Sequence, residues 1–456
     1  MNDLRTLNQP VVLFGVFAVI FCGYIIAANP LFFFPDSPWH LAAGDLIRAS
    51  GGLPAYDAWS YTAGETRWFH QSWGFDVIIS IIRQYLGLPG LYILTYGLGA
   101  LVLVLVWKNI LLRDVTARGL IAAWLLAAIA LFPRVGLKPD MISYLLVVVF
   151  YIFLHRSREN IKYAYALPLL MVIWVNVHGG FLAGLILITI YFIEAILKKE
   201  NQRIRHFMMI GLGCGLAILV NPLGIHILPA ILANVNSQII AQLGEWKPLS
   251  ASQFPFVFMA MFVMVLVTNI RNHKIPLADK VVAYIWLVMG IDSTRFSMYF
   301  GILAAPYIAQ CMKDLEPDNI RIHVPTQQAI KWLSGGVILL GLSALLIISR
   351  VQQSTYIHFP GDIDEPIVQS IVKEFPDIRF FNDYNIGGKL IYYSGGKLKV
   401  FVDGRAGTVY PPDVLSDYVN VFFMQPDMMD VIRKYNIEGF LLPPDTFLAS
   451  FFRTFR

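Results

Sequence analysis

The sequence predicts a polytopic α-helical membrane protein with a small α/β domain at its C-terminal end. Hydrophobic residues make up 57% of its 456 positions, charged residues only 14%, and the mean hydropathy is +0.61. Soluble domains contain about 25% charged residues, so this composition indicates a chain that crosses a lipid bilayer repeatedly. The apolar residues are also gathered into runs of roughly 16 to 22 positions, the length that crosses the hydrocarbon core as a helix.

Eleven apolar runs are predicted to span the membrane. They lie near residues 11–28, 89–107, 118–133, 141–155, 163–177, 180–197, 206–221, 254–270, 281–291, 296–312 and 332–349. A further run at 73–87 is short and contains Asp76 and Arg83, which favours an amphipathic helix in the membrane interface. This assignment puts basic residues such as Lys108 and Arg113 on the cytoplasmic side, as the positive-inside rule requires. The N-terminus is then cytoplasmic and the C-terminal domain is outside.

The first run lacks a clear small-residue cleavage site, so we expect it to remain as a span rather than to be removed as a signal peptide. The formal net charge of +5 is spread over short loops, which is not the pattern of a nucleic-acid-binding protein. The three cysteines lie in apolar segments, so we expect no disulfide framework.

The chain divides into two predicted domains. Residues 1–350 form a transmembrane domain, whose first outer loop at 30–88 contains interfacial helices, and residues 351–456 form the extracytoplasmic α/β domain. In the second domain, strand-like runs alternate with helical patterns, which is typical of an α/β fold. The strands are predicted at 376–381, 389–394, 398–402 and 438–442, and the helices at 364–374 and 425–435.

The predicted topology brings polar residues from six separate stretches to the outer face of the membrane. Polar groups at membrane depth are energetically expensive and usually functional, so this convergence predicts a site. The candidate site residues are Asp36, His40, Asp57, Trp68, His70, Gln71, Trp73, Arg134, Lys138, Asn176, His178, Asn221, His226 and Arg295.

Asp36 and His40 are the predicted catalytic residues. They are four positions apart, so on a helix that begins near Ser37 they lie on one face. A carboxylate and an imidazole placed there can act as a general base towards an acceptor hydroxyl, or as metal ligands. The alternative is structural, with Asp36 as a helix N-cap and His40 as an interfacial histidine.

Three basic residues suit a phosphate group. Arg134 and Lys138 follow the outer end of one helix, and Arg295 lies in another outer loop. Arginine binds phosphate in a bidentate fork and lysine binds it as a point charge. The alternatives are that Arg134 and Lys138 only anchor a helix at the interface, and that Arg295 forms a structural ion pair with Asp292.

The remaining candidates are open to more than one interpretation. The aromatic faces of Trp68 and Trp73 can stack on a sugar ring, but aromatic belts are common at any membrane interface. Asp57 has the setting of a turn residue. No cofactor is certain: a divalent metal held by Asp36, His40 and His178 is one alternative, although the histidines lack the spacing of an HExxH motif. In the second domain, we interpret Asp403 and Arg405 as a structural turn pair rather than a substrate contact.

Seven short motifs carry a family resemblance. They are Asp36-x-x-Trp39-His40-Leu-Ala-x-Gly44, Pro54-x-x-Asp57, Trp68-x-His70-x-x-Trp73, Trp174-x-Asn176-x-His178-Gly-Gly, Asn221-Pro222-x-Gly224, Asn385-x-Gly387-Gly388 and Asp403-Gly404-Arg405. Together they resemble the GT-C superfamily of membrane glycosyltransferases, which includes the protein O-mannosyltransferases and the lipid A aminoarabinose transferases. Within that superfamily the chain is most similar to a set of bacterial membrane proteins. The resemblance covers nearly the whole chain.

The resemblance implies a glycosyltransferase of the bacterial cytoplasmic (inner) membrane, surrounded by membrane lipids. Its donor is then a polyprenyl-phosphate-linked sugar, and its acceptor is a saccharide, lipid or protein at the outer face. Asp36 becomes the catalytic base, and Arg134, Lys138 and Arg295 become candidates for the lipid phosphate. The chain departs from the family in two respects: the paired first-loop acids are here Asp36 and Ser37, and the C-terminal domain is smaller than in several relatives.

Two other functions compete with this interpretation. A non-catalytic GT-C-like subunit would bind a lipid-linked saccharide within an envelope assembly complex, and the Asp36-Ser37 pair favours it slightly. A transporter or flippase is the third hypothesis. Against it, the sequence has no evident inverted repeat and no matching pair of interrupted helices.

Overall fold

The computed structural model of the protein describes residues 35–64, 66–235, 246–248, 275–315 and 363–454. It is mostly helical. The spans predicted near 11–28, 254–270 and 332–349 lie outside the described residues.

Ten α-helices occur in the described part of the first 315 residues. They are α1 (Ser37–Ser50), α2 (Trp73–Leu111), α3 (Ala117–Leu131), α4 (Asp140–Arg156), α5 (Leu167–Val177), α6 (Leu182–Leu197), α7 (Asn201–Ile218), α8 (Ile227–Val235), α9 (Leu277–Asp292) and α10 (Ser297–Leu315). Each predicted span that falls on described residues overlaps one of these helices over most of its length.

Among the described residues, two helical segments are long and apolar enough to cross a membrane by length and composition, Trp73–Leu111 and Gly179–Leu197. Ala117–Leu131 and Ile161–Val177 are shorter apolar helices. The count of eleven spans and the predicted topology therefore stay predictions.

The interfacial helix and the second span are one helical run, α2, with a kink between them. The kink lies at Gly87, whose φ is 62° and ψ is −158°, a conformation that glycine adopts without steric cost. Pro89 follows and lacks the N–H that would continue the helical hydrogen bonds. The boundary thus falls where the sequence predicted it, and the interfacial position of the first half stays a prediction.

Small residues bring the helices of the bundle into close contact. A Cβ at Gly301 on α10 would lie 2.5 Å from the Cβ of Ala130 on α3, and one at Gly119 would lie 2.7 Å from the carbonyl oxygen of Ala309. Small residues at helix interfaces are the usual basis of helix packing in membranes. The packing of α10 along α3 depends on them.

One face of α7 consists of exposed apolar side chains. Met208, Leu212 and Leu216 recur every four residues and are 59%, 67% and 58% exposed. Side chains at this spacing share a helix face, and an apolar face of this size needs a lipid or protein partner. The face fits the predicted membrane environment.

A buried ionic network joins the helix ends farthest from the first loop. Asp279, fully buried at the start of α9, lies 3.5 Å from Arg113 Nη2 and 3.3 Å from Arg158 Nη1. It also accepts a hydrogen bond from the Tyr151 hydroxyl, and Arg158 donates to Glu194 at 3.0 Å. Because buried charges are stable only when paired, this network fixes the ends of α4, α6 and α9 against each other.

The described part of the C-terminal domain contains five helices around a two-stranded parallel sheet. The strands pair Phe380 with Gly439 and Asn382 with Leu441. The elements are α11 (Glu365–Glu374), β1 (Phe380–Asn382), α12 (Tyr384–Ser394), α13 (Pro412–Phe422), α14 (Met428–Tyr435), β2 (Gly439–Leu441) and α15 (Phe447–Thr454).

The strand predicted at 389–394 is wrong, because these residues belong to α12. The Asp383 side chain accepts the backbone N–H of Asn385 and caps the helix, and Gly395 ends it with a φ of 62°. These capping signals decide the structure here over the apolar run. The predicted strand at 398–402 is also absent from the sheet; within it, Val400 forms an isolated bridge with Ser60 of the first loop.

Arg405 fastens the C-terminal domain to the first loop. Its guanidinium is completely buried and donates to Asp57 Oδ1 and Asp403 Oδ2, each at 2.6 Å. The rings of Trp59 and Trp68 lie 4.9 and 4.8 Å from it, within the range of cation–π attraction. We call these five residues the Arg405 latch.

The latch also depends on the ionisation of Asp57. Burial alone would raise the pKa of Asp57, but Arg405 and hydrogen bonds from Ser60 and Trp59 outweigh it and hold that pKa below its ordinary value. A carboxyl group with a lowered pKa stabilises the folded protein at neutral pH, and this stabilisation is lost as the pH falls through the lowered pKa.

Replacing Arg405 with methionine leaves the carboxylates of Asp57 and Asp403 buried without their cation. Breaking a buried pair in this way costs about 3–5 kcal/mol, so we expect a large fall in the Tm of the purified protein. The matched control is Arg433→Met, which removes an exposed pair with Asp430 and is expected to leave the Tm nearly unchanged. Equal effects of the two variants would contradict the latch.

Candidate functional site

A cleft of about 120 Å³ lies where the first loop, the start of α4 and the C-terminal domain meet. The loop after Asp403, including Gly404 and Thr408, forms one wall of it. Seven of the predicted site residues line the cleft: Asp36, His40, His70, Gln71, Lys138, His178 and Arg295.

Asp36 is held in a defined position at the edge of the cleft. It precedes α1, but its side chain caps no backbone N–H there. Its Oδ1 instead accepts a hydrogen bond from Trp39 Nε1 at 3.1 Å. A Cβ at Gly404 would overlap that oxygen, and one at Gly388 would lie 3.0 Å from the carbonyl oxygen of Pro35. The glycines of the two C-terminal motifs thus let this domain pack directly on the Asp36 segment.

His40 and His70 share one buried carboxylate, that of Asp76. His40 Nδ1 lies 2.6 Å from Asp76 Oδ1, and His70 Nε2 lies 2.8 Å from Oδ2. A Cβ at Gly44 would overlap the backbone carbonyl oxygen of Asp76, so the glycine allows α1 to lie this close to α2. Burial lowers the pKa of His40 to about 4, against the opposing charges of Asp36 and Asp140.

Four groups converge on the carboxylate of Asp140 at the start of α4. Arg295 Nη2 lies 3.1 Å and His178 Nε2 lies 2.8 Å from Oδ1. Lys138 Nζ lies 3.4 Å and Arg134 Nη2 lies 3.9 Å from Oδ2. Three cations against one anion leave an excess of positive charge beside the cleft. We call this group the Asp140 cluster.

The hydrogen bonds of His178 fix its tautomer. The N–H of Gly180 donates to His178 Nδ1 at 3.2 Å, so this nitrogen is an acceptor. Ser143 Oγ accepts from Trp174 Nε1 at 2.7 Å and can therefore donate to the same nitrogen, 2.6 Å away. The hydrogen of His178 thus lies on Nε2, where Asp140 accepts it. Both ring nitrogens are engaged, which leaves neither available to a metal.

The other two metal candidates each have one side-chain atom engaged within the protein. His40 Nδ1 lies against Asp76, and Asp36 Oδ1 accepts from Trp39. Among the residues that the structure describes, no three His, Cys, Asp or Glu side chains are grouped as metal ligands would be.

The remaining predicted site residues do not line the cleft. Asp57 and Trp68 belong to the Arg405 latch. Arg134 belongs to the Asp140 cluster but not to the cleft wall. Trp73 Nε1 donates to Asn176 Oδ1 at 3.1 Å, and Asn176 Nδ2 donates to the carbonyl oxygen of Val220.

Two further candidates lie in the segment after α7. Asn221 caps a local turn, accepting from the Leu223 N–H and donating to the Gly224 carbonyl. His226 is exposed in a short 3-10 helix. The contacts of Asn221 therefore have a structural role, and neither residue lines the cleft.

Ten of the residues that line the cleft were not predicted as site residues, and three of them are prominent. Asp140 lines the cleft at the centre of its cluster, Trp39 packs beside Asp36, and Tyr384 contributes from the C-terminal domain. Asp76 was also missed, although a carboxylate inside the apolar run 73–87 was a signal for it. Nothing in the sequence pointed to Tyr384, because only the packing of the two domains brings it to the cleft.

A second cavity of about 200 Å³ adjoins the cleft. It shares Gln71, His178, Trp246 and Arg295 with the cleft. The aromatic side chains of Trp286, Phe296 and Tyr299 form its far wall, and the rings of Trp286 and Tyr299 are stacked with centroids 4.8 Å apart. We call this cavity the aromatic chamber.

An apolar groove of about 520 Å³ continues from the chamber along α6 and α9. Leu182 and Ile186 line both cavities. The groove follows α6 to Leu197, a distance of about 22 Å at about 1.5 Å per residue. A continuous path therefore leads from a long apolar groove, through an aromatic chamber, to a polar cleft with excess positive charge.

Replacing Gly404 with alanine tests how Asp36 is held. The new Cβ would overlap Asp36 Oδ1, while the φ of Gly404 is not positive and imposes no backbone strain. We expect the variant to fold and a cryo-EM map to show the Asp36 carboxylate displaced. Gly52→Ala is the control, since a Cβ there meets nothing within 4 Å. An unmoved Asp36 in the Gly404 variant would contradict the close contact.

No protein-family model matches this chain, and no curated protein matches it. Among solved structures, the chain is similar to the crystal structure of ArnT from Cupriavidus metallidurans bound to undecaprenyl phosphate. The two are 14% identical, and the alignment covers 97% of this chain and 94% of that chain with a TM-score of 0.39. A likeness at this level assigns neither a function nor site residues to this chain. The candidate site therefore rests on the geometry described above.

Proposed function

We propose that the protein is a membrane-embedded glycosyltransferase that moves a sugar from a polyprenyl-phosphate donor to a hydroxyl acceptor at the outer face of a bacterial cytoplasmic membrane. The observation that supports this most strongly is the path from the apolar groove to the positively charged cleft. An apolar chain with an anionic head group matches that path from end to end. A soluble nucleotide-sugar would leave the groove unused.

The groove supplies the binding site for the isoprenoid chain. Its lining consists almost entirely of aliphatic side chains from α6 and α9, such as Leu185, Ile190 and Val281. Each apolar Å² removed from water contributes roughly 25 cal/mol, and a chain drawn from the bilayer also keeps a lipid-like environment along the groove.

The Asp140 cluster supplies the site for the phosphate. Arg295 and Lys138 line the cleft and carry the excess positive charge. During transfer, the bond between the sugar C1 and the phosphate oxygen breaks and its electron pair stays on the phosphate. Fixed cations stabilise that developing charge best in a site shielded from water.

The sugar would lie between the phosphate and Asp36, where cleft and chamber meet. The Trp246 ring lies there against Arg295, 4.9 Å from its guanidinium. Within the described ranges, Gln71 Oε1 is buried and has no hydrogen-bond partner, so it can accept from a sugar hydroxyl. An aromatic ring beside an unpaired amide oxygen suits a sugar, which has both apolar faces and hydroxyl groups.

Asp36 is the proposed base. As the acceptor oxygen bonds to C1, its hydroxyl proton passes to the Asp36 carboxylate. The acceptor is a saccharide, lipid or protein, and the C-terminal domain lies on the outer side, over the cleft.

A second candidate function is a non-catalytic subunit that binds the same lipid-linked saccharide. Ser37 favours this second candidate, because a serine stands where the family resemblance implies a second acidic residue. Its hydroxyl donates a hydrogen bond to the Leu137 carbonyl.

Replacing Asp36 with asparagine separates the two functions. Loss of a general base lowers the rate by about 100- to 10,000-fold, so we expect kcat to fall by that factor while the donor still binds. The measurement is release of polyprenyl phosphate by mass spectrometry, using nanodiscs, synthetic polyprenyl-phosphate sugars and an envelope extract as acceptor. The control is Asp413→Asn, whose carboxylate is exposed. A wild type that binds donor without any turnover would support the binding subunit instead.

Replacing Thr189 with tryptophan tests the groove. Thr189 lines it, so the larger side chain should obstruct the isoprenoid chain. We expect the donor KM to rise at least tenfold for a long-chain donor and to change little for a donor with one or two isoprene units. Leu212→Trp, on the exposed face of α7, is the control. An unchanged KM for the long-chain donor would place that chain outside the groove.

A further inference from the structure

We propose that His40 is a catalytic residue that takes the transferred proton from Asp36, and that Asp76 is the positioning residue that prepares His40 to accept it. The inference rests on the proposed transferase function. Binding of the donor alone does not explain why the buried Asp76 carboxylate lies between His40 and His70.

The hydrogen bond between His40 and Asp76 determines the tautomer of His40. An ionised carboxylate can only accept hydrogen bonds, so His40 Nδ1, 2.6 Å from Asp76 Oδ1, must carry a hydrogen. The hydrogen of neutral His40 is therefore on Nδ1, and its Nε2 has a lone pair. In the part of the chain that the structure describes, no hydrogen bond engages this Nε2, while His40 itself lines the cleft.

The Asp76 carboxylate is the counter-charge for a proton on His40. Burial raises the pKa of Asp76 to about 6, which leaves this carboxylate mostly ionised at neutral pH. When His40 accepts a proton, the new imidazolium lies 2.6 Å from the Asp76 carboxylate, and the net charge of the pair becomes zero. Burial lowers the pKa of His40 to about 4, which keeps the imidazole unprotonated at neutral pH before the reaction.

The packing around His40 holds its ring in one orientation. Trp39 is stacked on it with centroids 3.6 Å apart, and Phe75 meets it edge-on at 5.7 Å. The ionisable groups that line the cleft with it or contact its ring come from several elements: Asp36 before α1, His70 before α2, Asp76 on α2, Asp140 at the start of α4, His178 after α5, and Tyr384 and Arg405 in the C-terminal domain. Across the cleft lie Lys138 and Arg295. The acidic members of this set favour a protonated His40 during turnover.

The proton balance of the reaction is complete with these groups. The acceptor O–H bond breaks, the oxygen forms the new bond to the sugar C1, and the C1–phosphate bond breaks with its electron pair left on the phosphate. The proton moves from the hydroxyl to Asp36 and then, through water in the cleft that both side chains line, to His40 Nε2. Asp36 thereby regains its charge for the next cycle, and His40 releases the proton to water in the cleft. Asp76 keeps Nδ1–H bonded throughout, as the positioning carboxylate does in an Asp–His pair.

Two variants test these roles. His40→Gln keeps an N–H donor towards Asp76 but cannot take up a proton, and Asp76→Asn can no longer fix the tautomer. We expect each to lower kcat by about 100- to 10,000-fold, the usual range for loss of a proton acceptor, with the donor KM unchanged. His206→Gln is the control, since His206 bonds to Tyr165 in an exposed position. A wild-type kcat in His40→Gln would overturn the proposal.

A spectroscopic measurement separates this inference from the proposed function. Nitrogen-15 NMR of labelled histidine in nanodiscs, assigned with His40→Gln, should show His40 as the Nδ1–H tautomer at neutral pH and should show a changed tautomer in Asp76→Asn. This result does not depend on turnover, so it can be obtained even if the wild type transfers no sugar and the proposed function fails. It can also be obtained from the wild type alone if Asp76→Asn does not fold. An Nε2–H tautomer in the wild type would overturn the role of Asp76.

Discussion

The pairing of buried charge around Asp140 is the interaction on which the site depends. Lys138 reaches this carboxylate from two positions before it, and His178 and Arg295 reach it from the ends of other helices. Cations removed from water need a counter-charge, and a single carboxylate supplies only part of it. The site is therefore held together by Asp140 while it keeps a positive excess for an anionic ligand. A bound phosphate would neutralise the positive charge of the Asp140 cluster that the single carboxylate leaves uncompensated.

The second constraint is the close contact between the C-terminal domain and the first loop. The Arg405 latch fixes their relative position, and Gly404 places a backbone directly against Asp36. The C-terminal domain thus forms one wall of a site that otherwise consists largely of helix ends, and it limits the rotamers of Asp36, the proposed base. Groups that act on a reacting centre have to be held to within a fraction of an ångström, and two domains share that task here.

Residues whose setting is local could be predicted from the sequence, and residues paired over long distances could not. Asp36, His40, Lys138 and Arg295 were identifiable because each is polar where its surroundings are apolar, and all four line the cleft. Asp57 was interpreted as a turn residue or substrate contact because its partner, Arg405, is 348 positions away. The helix at Tyr384–Ser394 was missed for a different reason: its cap and its terminal glycine outweigh a short apolar run that is typical of a strand.

The most direct test of the account is a cryo-EM map of the protein in nanodiscs that contain a polyprenyl phosphate. We expect elongated density along α6 and α9, continuing past Trp286 and ending in a head group within hydrogen-bond distance of Arg295 and Lys138. Density for the lipid at another surface, with the groove and the Asp140 cluster unchanged, would contradict the proposed donor and with it the glycosyltransferase mechanism.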